Sequence, residues 1–183
     1  MHRAMPLPRT TFATLLVAAA LTLAACGDES RTASPAAERL SLPEQFTPEP
    51  DRIVTGALDP QKLQAIAEAD IPHVISLQPR DEHPDFDEAG EAKTLGIQHH
   101  HRPIAGADDL DRDAAIWLDD VLREIVDEAA VLHCASGNRV GALIALRAAW
   151  IEGRPTEAAI AEGKRWGLTS LENAVRERLS ETN

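Results

Sequence analysis

The sequence predicts an α/β fold in which a central, mostly parallel sheet of four to five strands is flanked by helices. Three observations carry this. Short apolar runs alternate with segments of helical periodicity through residues 51–183. One of those segments, Val140 to Ile151, is apolar almost all round, as a helix in the middle of a structure must be. The chain has 183 residues, enough for one ordinary domain, and no internal repeat.

Arg52 to Ala57 reads as the first strand. Asp59-Pro60 then offers an N-cap and a proline for the first helical position, opening a helix that runs to about Ala69. His73 to Leu77 is a second strand, and Phe86 to Leu95 carries a helical pattern that ends before Gly96. Ile97 to Ile104 is a third strand despite its three histidines. Ala114, Leu118, Val121, Leu122 and Ile125 recur at helical spacing, so Asp111 to about Asp127 is an amphipathic helix. Ala130 to His133 is a short buried strand, followed by the central helix Val140 to Ile151, which Gly153 ends. Thr156 to Trp166 and Ser170 to Leu179 close the chain as two more helices. Trp117, Trp150 and Trp166 are packing residues.

Only 3% of residues are aromatic and none is Tyr, so Ala, Leu, Ile and Val must fill the core. The formal charge of -12 works against attraction to phosphate backbones and excludes nucleic acid as the expected partner. Two cysteines, Cys26 and Cys134, form no zinc-like spacing and no disulfide framework, so each needs its own explanation.

Residues 1–25 contain Arg3, Arg9 and no acid, and the stretch from Phe12 to Ala24 is apolar apart from Thr14 and Thr22. That run is shorter than the roughly 18 residues of a spanning helix, which makes it a secretory signal. Leu23-Ala24-Ala25-Cys26 resembles the lipobox of bacterial lipoproteins. The resemblance implies lipidation at Cys26 and membrane attachment through it. With Gly27 rather than Asp after the cysteine, it implies a periplasm-facing position in the bacterial cell envelope, at the outer membrane. Residues 26–50, with Pro35, Pro43, Pro48 and Pro50 among Ser, Thr, Ala and Glu, read as a flexible tether. The folded domain then occupies residues 51–183.

The chemistry is concentrated where a strand gives way to the central helix. Val131-Leu132-His133-Cys134-Ala135-Ser136-Gly137-Asn138-Arg139-Val140 puts a cysteine at a strand end and an arginine at a helix start, with a small glycine-containing loop between. A loop that curls back would converge the N–H groups of Ala135, Ser136, Gly137, Asn138 and Arg139 on one point at the positive end of the helix dipole. Such surroundings bind an oxyanion and favour a thiolate nucleophile at Cys134. The alternative is an inert cysteine buried at a strand end.

His133-Cys134, Gly137 and Arg139 resemble the His-Cys-x-x-Gly-x-x-Arg signature of cysteine-dependent phosphatases. The likeness extends over about residues 51–168. Ile71-Pro72-His73-Val74-Ile75-Ser76-Leu77, with its preceding helix, resembles the opening of dual-specificity phosphatases. Glu152 to Glu162 resembles the helix that follows the signature in that fold. The nearest group is the bacterial phosphatase-like one found with beta-lactamase hydrolase-like proteins. Two departures stand out. Four residues rather than five separate Cys134 from Arg139, a spacing shared with that bacterial group and with rhodaneses, where the cysteine carries a persulfide. Val140 also occupies the position where many phosphatases place Ser or Thr.

The resemblance implies hydrolysis of phosphomonoesters through a cysteinyl-phosphate, with no metal or organic cofactor. It implies a general acid on the loop before the long helix, so Asp108 or Asp109 is the candidate, with Asp85 and Asp87 as further ones. Either of the first two also fits a helix cap. His133 is expected to orient the cysteine loop. His99 and His101 should share one strand face with His100 on the other, and two such ligands are too few for a metal. Sulfur transfer through a Cys134 persulfide, and anion binding without catalysis at the envelope, are the competing functions.

Overall fold

The computed structural model describes residues 1–2 and 34–181. Residues 3–25 of the expected signal segment, with Cys26 and Gly27, lie outside the described residues. The chain divides into a unit over Met1–Ser30 and one over Arg31–Asn183, and every element below belongs to the second. In chain order these are α1 (Pro35–Arg39), β1 (Phe46–Glu49), β2 (Arg52–Thr55), α2 (Pro60–Glu68), β3 (His73–Ser76), α3 (Glu88–Thr94), β4 (Gln98–His101), α4 (Arg112–Glu124), β5 (Ala130–His133), α5 (Asn138–Trp150), α6 (Thr156–Arg165) and α7 (Glu172–Glu181). Short 3₁₀ turns at Arg80–Glu82 and Ala107–Asp109 interrupt the two loops that flank α3 and β4. Among the described residues no helix is long and apolar enough to cross a membrane.

The sheet order is β1-β2-β5-β3-β4, with β2, β5, β3 and β4 parallel and β1 antiparallel at the edge. Strands β2, β3 and β5 are buried throughout because helices cover both of their faces, which is why they read as apolar runs without alternation. Val54, Leu132 and Ile75 share one face and pack in the larger cluster with α4, α5 and residues of α6 and α7. Ile53, Val131 and Val74 share the other and pack with α2 and α1. Helices α5 and α6 approach at two glycines. A Cβ on Gly141 would lie 2.6 Å from the Gly163 oxygen and one on Gly163 would lie 2.6 Å from the Gly141 oxygen, so side chains there would force the helices apart.

The structure corrects the reading of residues 26–50 as a tether throughout. From Ser34 onward this stretch forms α1 and β1, and Ala37, Leu40 and Leu42 are buried against the α2 side of the sheet. The prolines have positional roles rather than breaking structure. Ser34 caps α1 by accepting the Ala37 N–H, with Pro35 at the first helical position, as Asp59 and Pro60 do for α2. Pro48 sits in an edge strand, where a missing N–H is tolerated.

Candidate active site

The C-terminal ends of the parallel strands bring Thr55, His133, Ser76 and His101 into one register row. Cys134 follows immediately, 1% exposed and part of the larger core cluster. The chain then turns back on itself within four residues, with Ala135 and Ser136 exposed and Gly137 buried. Gly137 holds φ +82° as the residue capping α5, a left-handed conformation that L side chains rarely adopt, and a Cβ there would lie 3.2 Å from Val54. The Ala135 carbonyl accepts the Ala57 N–H at 3.2 Å, an approach that works because position 56 is glycine. Asn138 fixes the far side of the loop. Its amide donates to Ser170 at 2.8 Å, and its oxygen accepts the Thr169 N–H at 2.8 Å. Among the described residues, none of the N–H groups from Ala135 to Arg139 donates to a backbone carbonyl. They are therefore available at the positive end of α5.

Arg139 extends from the first turn of α5 and its guanidinium meets Glu82 end on, Nη1 at 3.0 Å from one carboxylate oxygen and Nη2 at 2.6 Å from the other. A guanidinium has five N–H donors, so this fork leaves Nε–H and one N–H on each terminal nitrogen for another acceptor. Glu82 thus holds Arg139 without using all of its donors. The pair is partly shielded, with side-chain exposures of 16% and 30%.

His133 is wholly buried, and its Nε2 lies 2.9 Å from an oxygen of Glu88, the first residue of α3. The same oxygen lies 2.7 Å from Nε2 of His99. Burial by itself would raise the Glu88 pKa. Hydrogen bonds from His133 and then His99, with the electrostatic attraction of the two ring N–H groups, outweigh it and hold the carboxyl well below the usual carboxylate range. His99 and His101 stack with ring centroids 5.8 Å apart, and His101 Nε2 meets the Gln78 carbonyl at 2.9 Å. His100 faces the opposite side, 3.2 Å from His73, and burial together with the neighbouring His73 pushes its pKa down. The alternation expected for the three histidines is what the strand adopts. Among the described residues, no group of three or more His, Cys, Asp or Glu side chains is arranged to hold a metal ion. A cleft of about 260 Å³ opens over Glu88, His99 and His101, walled by Arg80, His83 and Phe86.

His133 ends β5, Cys134 follows it, and Arg139 stands in the first turn of α5, its guanidinium on Glu82. The candidate acids are engaged elsewhere. Asp109 accepts the Ala105 N–H at 2.7 Å, and the fully exposed Asp108 lies 3.5 Å from Arg178. Asp87 caps α3 by accepting the Gly90 N–H. Sequence reasoning missed Glu82 and Glu88. Five acids fall between Asp81 and Glu88, and nothing in that run distinguishes the two that reach Arg139 and His133.

No family model matches the sequence, and no curated protein matches it. Solved structures do match. A candidate phosphatase of Neisseria meningitidis Z2491 is 23% identical, aligns over 76% of this chain and 99% of its own, and superposes with a TM-score of 0.57. A DUF442 protein of Shewanella putrefaciens CN-32 is 16% identical over 76% of this chain and 92% of its own, with a TM-score of 0.59. TpbA of Pseudomonas aeruginosa is 14% identical over 79% of this chain and 89% of its own, with a TM-score of 0.58. The fold is that of a tyrosine-phosphatase-like domain. In this fold the loop from Cys134 to Arg139 lies between the end of β5 and the buried helix α5.

Proposed function

We propose that the protein is a thiol-dependent phosphatase acting on phosphomonoesters through a cysteinyl-phosphate. Cys134 at the end of β5, Gly137 in a left-handed turn, unpaired loop N–H groups and the partly free guanidinium of Arg139 together support this reading. The thiolate sulfur attacks phosphorus and the ester oxygen leaves, taking a proton from an acid on the Ala107–Asp109 turn. The loop N–H groups and the free edge of Arg139 hold the non-bridging oxygens. Water then attacks the cysteinyl-phosphate, releasing inorganic phosphate and restoring the thiolate. Both candidate acids have partners, Asp109 the Ala105 N–H at 2.7 Å and Asp108 the Arg178 guanidinium at 3.5 Å, and the longer contact and full exposure of Asp108 make it the acid we assign. A TpbA variant with serine for cysteine is solved with phosphotyrosine, and an aryl phosphate is the corresponding first substrate to try here.

The test is hydrolysis of p-nitrophenyl phosphate, with reductant present, by the protein and by Cys134→Ser. Activity abolished by the substitution is the expected result, and equal rates in the two would refute a thiol mechanism. The four-residue spacing from Cys134 to Arg139 favours a second reading, sulfur transfer through a Cys134 persulfide. Formation of thiocyanate from thiosulfate and cyanide, with no phosphate release, would select it. We also propose that Cys26 is lipidated and anchors the domain in the bacterial envelope. Metabolic labelling with a fatty acid, lost in Cys26→Ala, tests that anchor.

A further inference from the structure

Two imidazoles donate to one carboxylate oxygen at the edge of the candidate site. Glu88 Oε1 lies 2.9 Å from His133 Nε2 and 2.7 Å from His99 Nε2, with side-chain exposures of 17% for Glu88, 11% for His99 and 0% for His133. An ionised carboxylate only accepts hydrogen bonds, so both facing nitrogens must carry hydrogen. The other nitrogen of His133, Nδ1, is buried and has no hydrogen-bond partner among the described residues. Moving the proton from Nε2 to Nδ1 would set a lone pair against the carboxylate and bury an unmatched donor, two penalties at once. The carboxylate therefore selects the tautomer. The main chain of the same residue is held too, because the His133 carbonyl accepts the Leu77 N–H at 3.0 Å. Cys134 leaves the strand from this doubly fixed point. Other charged or titratable groups on this side are Arg80, His83, Asp87 and His101, which line the cleft with Glu88 and His99.

We propose that Glu88 is a positioning residue for the cysteine loop: its carboxylate, braced by His99, fixes the Nε2–H tautomer and ring orientation of His133, and thereby the strand end that carries Cys134. The role rests on the reading of Cys134 as the nucleophile, and Glu88 itself touches no reacting atom. A carboxylate that orients a functional histidine from behind is expected to matter about ten-fold when removed.

The experiment uses histidine-labelled protein, wild type and Glu88→Gln, in three measurements. Long-range proton–nitrogen spectra read the His133 tautomer, iodoacetamide alkylation reads Cys134 reactivity, and p-nitrophenyl phosphate hydrolysis reads turnover. The wild type is expected to show His133 protonated at Nε2. In Glu88→Gln the His133 signals should change, alkylation should slow about ten-fold, and kcat should fall by a similar factor with KM little changed. A wild-type His133 with its lone pair at Nε2 would overturn the proposal, and that spectrum decides the matter even if the variant does not fold. Alkylation and kcat at wild-type levels in a folded Glu88→Gln would overturn it as well. A wild type that does not hydrolyse the ester, beside a variant with slowed alkylation and changed His133 signals, would refute the phosphatase reading while supporting the role of Glu88.

Discussion

Two loops at the same end of the sheet build the candidate site by opposite means. The loop from Cys134 to Arg139 is short and held by backbone geometry: a left-handed Gly137, a carbonyl clasped by Ala57, and Asn138 tied to Thr169 and Ser170. The segment from Leu77 to Glu88 is longer and mostly exposed beyond Pro79; its main chain meets His133 and His101 only at Leu77 and Gln78, and farther on it reaches the site with side chains, Glu82 to Arg139 and Glu88 to His133. In the proposed mechanism the first loop carries the reacting groups. The second contacts Arg139 and His133 from 57 and 45 residues away in sequence. A site of this kind separates chemistry from alignment, so substitutions in the two loops should fail differently.

The largest difference is expected at the guanidinium. Arg139→Ala removes the side chain proposed to hold the non-bridging oxygens and should cost roughly 10²–10³-fold in kcat for aryl phosphate hydrolysis, as loss of an oxyanion donor does. A loss confined to KM would mean that Arg139 binds without stabilising the transition state.

Glu88→Gln should next lower stability by about 2 kcal/mol at neutral pH, the worth of hydrogen bonds to a buried charge. The folded pKa of Glu88 is depressed, so its contribution is complete above the unfolded carboxylate value of about 4.3 and declines as pH falls toward the much lower folded value. Urea denaturation at pH 7 and again near pH 3 checks this. A gap between wild type and variant that narrows in acid is expected, and a gap independent of pH would contradict the assignment of charge.

Glu82→Ala leaves Arg139 chemically intact and should cost only about ten-fold in kcat, through misalignment. An effect as large as that of Arg139→Ala would place Glu82 in the chemistry itself and erase the distinction between the loops. The smallest effect is expected at Gly137→Ala, where a left-handed backbone and a close Val54 cost about 1 kcal/mol. A thermal melt measures the stability, and activity should fall with the loop geometry.

What could be read from the sequence follows the same division. The strands β2, β3 and β5 and the buried helix α5 announce themselves because full burial demands unbroken apolar runs, and Cys134, Gly137 and Arg139 fall within six residues of one another. Asp59-Pro60 marks the start of α2, whereas the same capping signal at Ser34-Pro35 is masked by the surrounding prolines, which have the composition of a tether. Glu82 and Glu88 were hidden for a different reason. In an exposed acidic run each carboxylate is locally equivalent, and only the path of the folded chain decides which one meets a partner on β5 or α5. The alternation of His99, His100 and His101 was legible from strand geometry alone, whereas the Glu88 partner of His99 was not.

The central claim is that Cys134 carries the phosphoryl group during turnover. Acid quenching of the protein during hydrolysis of p-nitrophenyl phosphate, followed by mass spectrometry of the peptide containing Cys134, tests this directly. One phosphoryl group on Cys134, absent without substrate and absent in Cys134→Ser, is the predicted result. Steady hydrolysis by the wild type at an undiminished rate in Cys134→Ser, with no phosphorylated Cys134 at any quench time, would contradict it.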